Sequence, residues 1–139
     1  MPSVQPDFDL RDRSVLITGA NRGLGAALCK TILQYSPKII HAGFRSAPGE
    51  LKDPRIQWCQ LDIQAPESVA EIAARVGDID ILVNNAGLLI EGTAEETSDA
   101  TWDKVFDVNL KGLFRGCRAV IPQMRQRGGG AIVNLASID

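Results

Sequence analysis

Short apolar runs alternate along the chain with stretches in which apolar residues return every three or four positions. Val15, Leu16 and Ile17 make a compact β-branched run, the pattern of a strand buried on both faces of a parallel sheet. The same reading predicts strands at 14–18, 38–44, 56–61, 79–83 and 131–136. Helical spacing predicts a helix over 23–35 whose stripe is Ala26, Ala27, Leu28, Ile32 and Leu33, stopped by Ser36-Pro37. A second helix is predicted over 66–76, with Pro66 in its first turn and Gly77-Asp78 as its end. A long third helix, capped by Thr97 or Ser98, carries Trp102, Val105, Phe106, Val108, Asn109, Leu113, Phe114 and Val120 at helical spacing over 101–126. Pro122 is expected to kink or shorten its last turns, and Gly128-Gly129-Gly130 to end it.

Strands that alternate with helices require right-handed crossovers and a parallel sheet. The fold expected is α/β, a doubly wound sheet of five strands in the order 3-2-1-4-5, C-terminally truncated before a sixth strand and its helix. Residues 1–13, with Pro2 and Pro6, read as a flexible lead-in, and 14–139 as an incomplete nucleotide-binding domain.

Composition adds exclusions. Apolar residues make up 45% and charged residues 23%, with a net charge of −2 and basic residues scattered singly. That mix speaks against a nucleic-acid partner or a polybasic membrane surface. No apolar run has membrane-spanning length, and 1–13 lacks the apolar core of a signal peptide. Cys29, Cys59 and Cys117 form no C-x-x-C, so reduced, mostly buried thiols in a cytoplasmic protein are expected, with no metal site. His41, inside the second strand, is expected to be a packed or edge imidazole and not a catalytic one.

The chemistry is concentrated between the first strand and the first helix, in V-L-I-T-G-A-N-R-G-L-G. A glycine-rich turn that opens a helix aims backbone N–H groups and the positive helix end at a phosphate. Gly19 permits the tight turn, Gly23 lets a pyrophosphate reach the backbone, and Gly25 lets the helix pack on the strand. The spacing T-G-x-x-x-G-x-G, from Thr18 through Asn21, Arg22, Leu24 and Gly25, resembles that of the short-chain dehydrogenases/reductases. The resemblance covers most of the chain but only the first part of a usual family domain. It implies a Rossmann-type sheet binding NAD(H) or NADP(H), and hydride transfer between nicotinamide and a carbonyl or alcohol.

Two features select the nucleotide. An acidic residue about 20 positions beyond the glycines normally grips the ribose 2′-hydroxyl. Here Phe44-Arg45-Ser46 stands there, and Arg45 and Arg22 could hold a 2′-phosphate by charge-assisted bonds. NADP(H) is therefore expected over NAD(H). The resemblance further implies that Asp62, beside Ile63, accepts from the adenine amino group, and that Asn85-Ala86-Gly87 of the N-N-A-G turn lies along the nucleotide, with Asn85 near the adenine ribose.

For catalysis, the resemblance assigns to Asn109 a water of a proton relay and to Ser137 a hydrogen bond to the substrate carbonyl. Its tyrosine and lysine, spaced Tyr-x-x-x-Lys, have no counterpart: Tyr35 is the sole tyrosine and Ile39 stands four positions on. Their absence removes a positioned acid/base, a loss of about 10²–10⁴-fold in rate. The chain is thus expected to be a fragment of a reductase with little activity alone. The alternative is a noncatalytic NADP(H)-binding regulatory protein. A small carbonyl or alcohol is the expected substrate. Helix 101–126 resembles one of two helices that pair family subunits, so a homo-oligomer is expected through it.

Overall fold

The computed structural model describes residues 9–136. Ser137 lies outside them. The elements in order are β1 (Ser14–Ile17), α1 (Gly23–Leu33), β2 (Ile39–Phe44), β3 (Ile56–Gln60), α2 (Pro66–Val76), β4 (Ile81–Asn84), α3 (Asp99–Phe106), α4 (Gly112–Gln126) and β5 (Ala131–Asn134). A π-helical turn, Asp107–Lys111, joins α3 to α4.

The sheet is parallel, in the order β3-β2-β1-β4-β5 expected of the doubly wound fold. β1 lies centrally, with Val15 between Ile40 and Ile81 and Ile17 between Ala42 and Val83. Strand alternation divides its side chains. Val15 and Ile17 face Cys29, Ile40 and Ala42, where Leu28, Ile32 and Leu33 of α1 also pack. Leu16 faces Cys59, Val69, Ile72, Val120 and Met124, under α2 and α4. Helices thus cover both faces, which is why β1 can be apolar throughout. Among the described residues no helix is long and apolar enough to cross a membrane.

The structure departs from the sequence reading at four places. The stripe of α1 is buried at Gly25 and Cys29, while Ala27 is exposed. Helical periodicity cannot separate neighbours on one face, and burial is complete only at Gly25 and Cys29, one turn apart.

The expected continuous helix is interrupted by the π turn. Trp102 and Phe106 are exposed, while Val108, Gly112, Gly116, Val120 and Met124 are buried. α4 nevertheless runs through Pro122 to Gln126. Leu10, in the expected lead-in, is 4% exposed, and its N–H donates to the Tyr35 carbonyl at 3.0 Å. Arg13 O accepts from Lys38 N at 3.0 Å, so the chain is held before β1 begins.

Other local readings are matched. Ser98 caps α3, its Oγ accepting from Thr101 N at 3.1 Å. Cys29 and Cys59 are buried and unpaired, and burial pushes both thiols up to about 11. His41 is buried within β2, and its Nδ1 has no hydrogen-bond partner.

Candidate nucleotide-binding site

The turn leaving β1 is tied down by backbone bonds to the neighbouring strands and by side chains. Thr18 is 4% exposed, and its N–H donates to Val83 O at 3.1 Å. Its Oγ1 accepts from Asn85 N and Ala86 N, each at 3.0 Å. Asn85 Nδ2 returns the contact, donating to Thr18 O at 3.1 Å and Gly19 O at 3.0 Å. Ala20 N donates to Gly43 O at 2.8 Å. The glycine turn is therefore fixed to the exits of both β4 and β2.

Two glycines have distinct geometric reasons. Gly19 has φ +61°, and a β-carbon there would lie 2.9 Å from Ala86 Cα. Gly23 has φ +55°, yet a β-carbon would meet nothing within 4 Å. The space in front of Gly23 is open.

Arg22 precedes α1 and makes no side-chain cap. The first-turn N–H groups of α1 thus carry no protein cap, and the positive end of the helix faces the opening. These features fit a diphosphate. Arg22, Leu24 and Arg45 are exposed at this edge. The loop after β2 comes close as well: a β-carbon on Gly49 would lie 2.9 Å from Asn21 O.

At the far side, Asp62 shapes the loop after β3. Its Oδ1 accepts from Gln64 N at 2.9 Å, and its N–H donates to Ser68 Oγ at 3.0 Å. Ile63 presses on α4, its Cδ1 2.6 Å from where a β-carbon of Gly112 would stand. The π turn presents Asn109 toward the N-N-A-G turn. Asn109 Oδ1 accepts from Leu88 N at 2.7 Å and Nδ2 donates to Leu88 O at 2.8 Å. Its amide is therefore committed to a backbone clamp just beyond Gly87.

Comparison with known proteins decides the family. The short chain dehydrogenase family model matches residues 13–139. The chain belongs to the short chain dehydrogenases.

It is 36% identical to the D-threitol dehydrogenase of Mycolicibacterium smegmatis, over 97% of this chain and 56% of that protein. Its fold superposes on a short chain dehydrogenase from Leptospira borgpetersenii with bound NAD+, at TM-score 0.85 and 29% identity, over 94% of this chain and 53% of that one. It also superposes on NADPH-bound carbonyl reductase from chicken fatty liver, at TM-score 0.83 and 26% identity, over 94% of this chain and 59% of that one. The chain spans about half the length of the curated relatives it matches.

For a short chain dehydrogenase, the structure brings Thr18, Gly19, Asn85 and Ala86 into one bonded cluster, with Gly25 packed against it. Asn109 belongs to a second cluster around Leu88. Sequence reasoning missed Asn84 and Arg115. Asn84 is buried, and its Nδ2 donates to Asn134 Oδ1 at 2.9 Å, joining β4 to β5. Arg115 is 6% exposed and bonded to Ile63 and Asp107. A signal for it existed, because residue 115 lies two turns beyond Val108, a position of the predicted apolar stripe. A charged residue there must be paired.

Proposed function

We propose that this chain is the dinucleotide-binding part of an oxidoreductase that prefers NADP(H) and acts on a small carbonyl or alcohol. The observation that carries the reading is the open, uncapped N–H array at Gly23, backed by the bonds of Thr18 and Asn85. The first-turn amides of α1 hold the diphosphate, and Asn85 keeps the turn in shape to receive it. Asp62 and Ile63 flank the adenine, while Ala86 and Gly87 line the path toward the nicotinamide. The nicotinamide supplies or accepts the hydride when bound. Asn109 fixes the backbone at Leu88 on that side, and Ser137 is assigned the contact to the substrate oxygen.

Preference for NADP(H) is supported by charge. Among the described residues neither Arg22 nor Arg45 is in an ion pair, and the exit of β2 carries no carboxylate. Two exposed, uncommitted guanidiniums suit a 2′-phosphate. With no Tyr-x-x-x-Lys in it, this polypeptide is assigned binding with little turnover of its own. A reducing compartment such as the cytoplasm suits its free thiols. The exposed apolar face of Trp102, Phe106, Leu110 and Phe114 is assigned to pairing with a second copy.

Titration with NADPH and NADH tests the reading. Saturable binding is expected with NADPH favoured roughly tenfold, about 1.4 kcal/mol, and Arg45→Asp should erase that preference. Equal affinity for both would remove the NADP(H) assignment. No saturable binding of either would remove the nucleotide site.

A further inference from the structure

Arg115 is the buried charge of α4, and its guanidinium faces two ways. Nη1 donates to Ile63 O at 2.8 Å, and Nη2 donates to Asp107 Oδ1 at 2.9 Å. Gln64 Nε2 adds a bond to Asp107 Oδ2 at 3.3 Å. The loop after β3 is thereby fastened to the first residue of the π turn. Two residues on stands Asn109, with its reciprocal bonds to Leu88. Hydrogen bonds at Asp107 and at Asn109, joined by the backbone of the π turn between them, link the loop of Asp62 and Ile63 to the backbone beyond Gly87.

Burying a guanidinium is costly unless its donors are satisfied, and a well-packed aliphatic residue often serves stability as well. Stability alone does not require an arginine here. The planar fork does what an aliphatic side chain or a point charge cannot: it spans a carbonyl and a carboxylate at once.

We propose that Arg115 is a positioning residue that, by joining Ile63 O to Asp107, holds the π turn in the one geometry from which Asn109 can clamp Leu88. Naming the two ends adenine side and nicotinamide side rests on the function proposed above; the mechanical link does not. Arg115 touches neither reacting atoms nor nucleotide, and acts through Asp107 and Asn109.

The test uses the full chain and site-resolved amide hydrogen exchange without nucleotide. In Arg115→Met, the Leu88 amide should exchange about tenfold faster, while Ile17 and Leu82 amides in the sheet stay within about twofold. A Leu88 amide unchanged in Arg115→Met overturns the proposal, because Arg115 would then merely tie down its own neighbours. Should Arg115→Met fail to fold, Arg115→Lys keeps the charge without the fork. It should show the same pattern at about threefold, and an unmoved Leu88 amide there overturns the proposal equally.

A double-mutant cycle on NADPH affinity adds a readout that simple stability would not move. Arg115→Met should weaken binding about tenfold alone but under about twofold in an Asn109→Ala background. Additive losses overturn the proposal. Absence of NADPH binding by the unmodified chain overturns the dinucleotide reading alone, and the Leu88 amide still decides the role of Arg115.

Discussion

Gly25 lies directly beneath Gly19: a β-carbon on Gly25 would stand 2.1 Å from the Gly19 carbonyl oxygen and 2.6 Å from Asn85 Nδ2. Neither neighbour can retreat. The Gly19 carbonyl is bonded to Asn85, and Asn85 is bonded through its own N–H to Thr18. Gly25→Ala should therefore cost about 3 kcal/mol or more, at the upper end of overpacking, with the first strand–helix unit disrupted. Urea unfolding read by circular dichroism measures this. A loss under about 1 kcal/mol would mean that the turn yields easily.

Gly23→Ala should separate folding from binding. The site is open, so no clash arises, and the φ of +55° costs an alanine only about 1–2 kcal/mol. The chain should stay folded by circular dichroism. The added methyl would occupy the space assigned to the diphosphate, so NADPH affinity should fall at least about tenfold. Unchanged affinity would argue that the diphosphate lies elsewhere.

Thr18→Val keeps shape and removes the acceptor of two backbone N–H groups, those of Asn85 and Ala86. Each buried donor left unsatisfied costs about 1–3 kcal/mol. Denaturant midpoints should drop accordingly in Thr18→Val and recover in Thr18→Ser, which retains the hydroxyl. Equal stability of the valine and serine variants would contradict the role given to Oγ1.

Stability should decline with acid in two stages. Burial holds the His41 imidazole below its ordinary 6.5, with a Gln57 hydrogen bond opposing and Arg75 reinforcing the shift. The unfolded chain therefore binds the proton more readily. The contribution of His41 is complete above about pH 6.5 and lost as pH falls below it, no more steeply than about 1.4 kcal/mol per pH unit. His41→Phe should flatten this stage in unfolding experiments between pH 7.5 and 5.

The second stage belongs to two aspartates. The Arg115 hydrogen bond holds Asp107 below 3.8, against some burial and with help from Gln64 and Lys111. Burial pushes Asp80 up, but Ser14 N–H, Arg127 and Arg13 outweigh it and the net shift is downward. Both contribute above about pH 3.8 and cease to do so as pH falls through their lower folded values. Asp80→Asn should reduce acid sensitivity below about pH 4, seen as a shallower loss of midpoint.

The exposed face around the π turn gives a test of assembly. Leu110 is 60% exposed and Phe114 53%, while Arg118 sits 5.0 Å over the Phe114 ring. If this face pairs two copies, Phe114→Glu should shift the chain toward monomer in sedimentation velocity and leave its circular dichroism unchanged. A monomer before and after substitution would remove the oligomer assignment.

Local pattern decided much of this protein before any coordinates. Apolar runs marked the strands because a parallel sheet buries both faces, and alternation with helices made that sheet parallel. The glycines of the first turn were legible because their spacing between a strand and a helix marks a close turn, where glycine takes a φ near +60° or a tight approach at least cost. Tertiary structure alone decided the rest. Nothing local shows that residue 25 lies under residue 19 and against Asn85, or that the helix over 101–126 breaks into a π turn. That break sits where Asn109 clamps Leu88, and Arg115 reaches Ile63 from 52 residues away. A chain's pattern encodes which faces are buried. Which polar atoms meet depends on groups distant in sequence, whose hydrogen bonds exist only once the sheet and helices have brought them together.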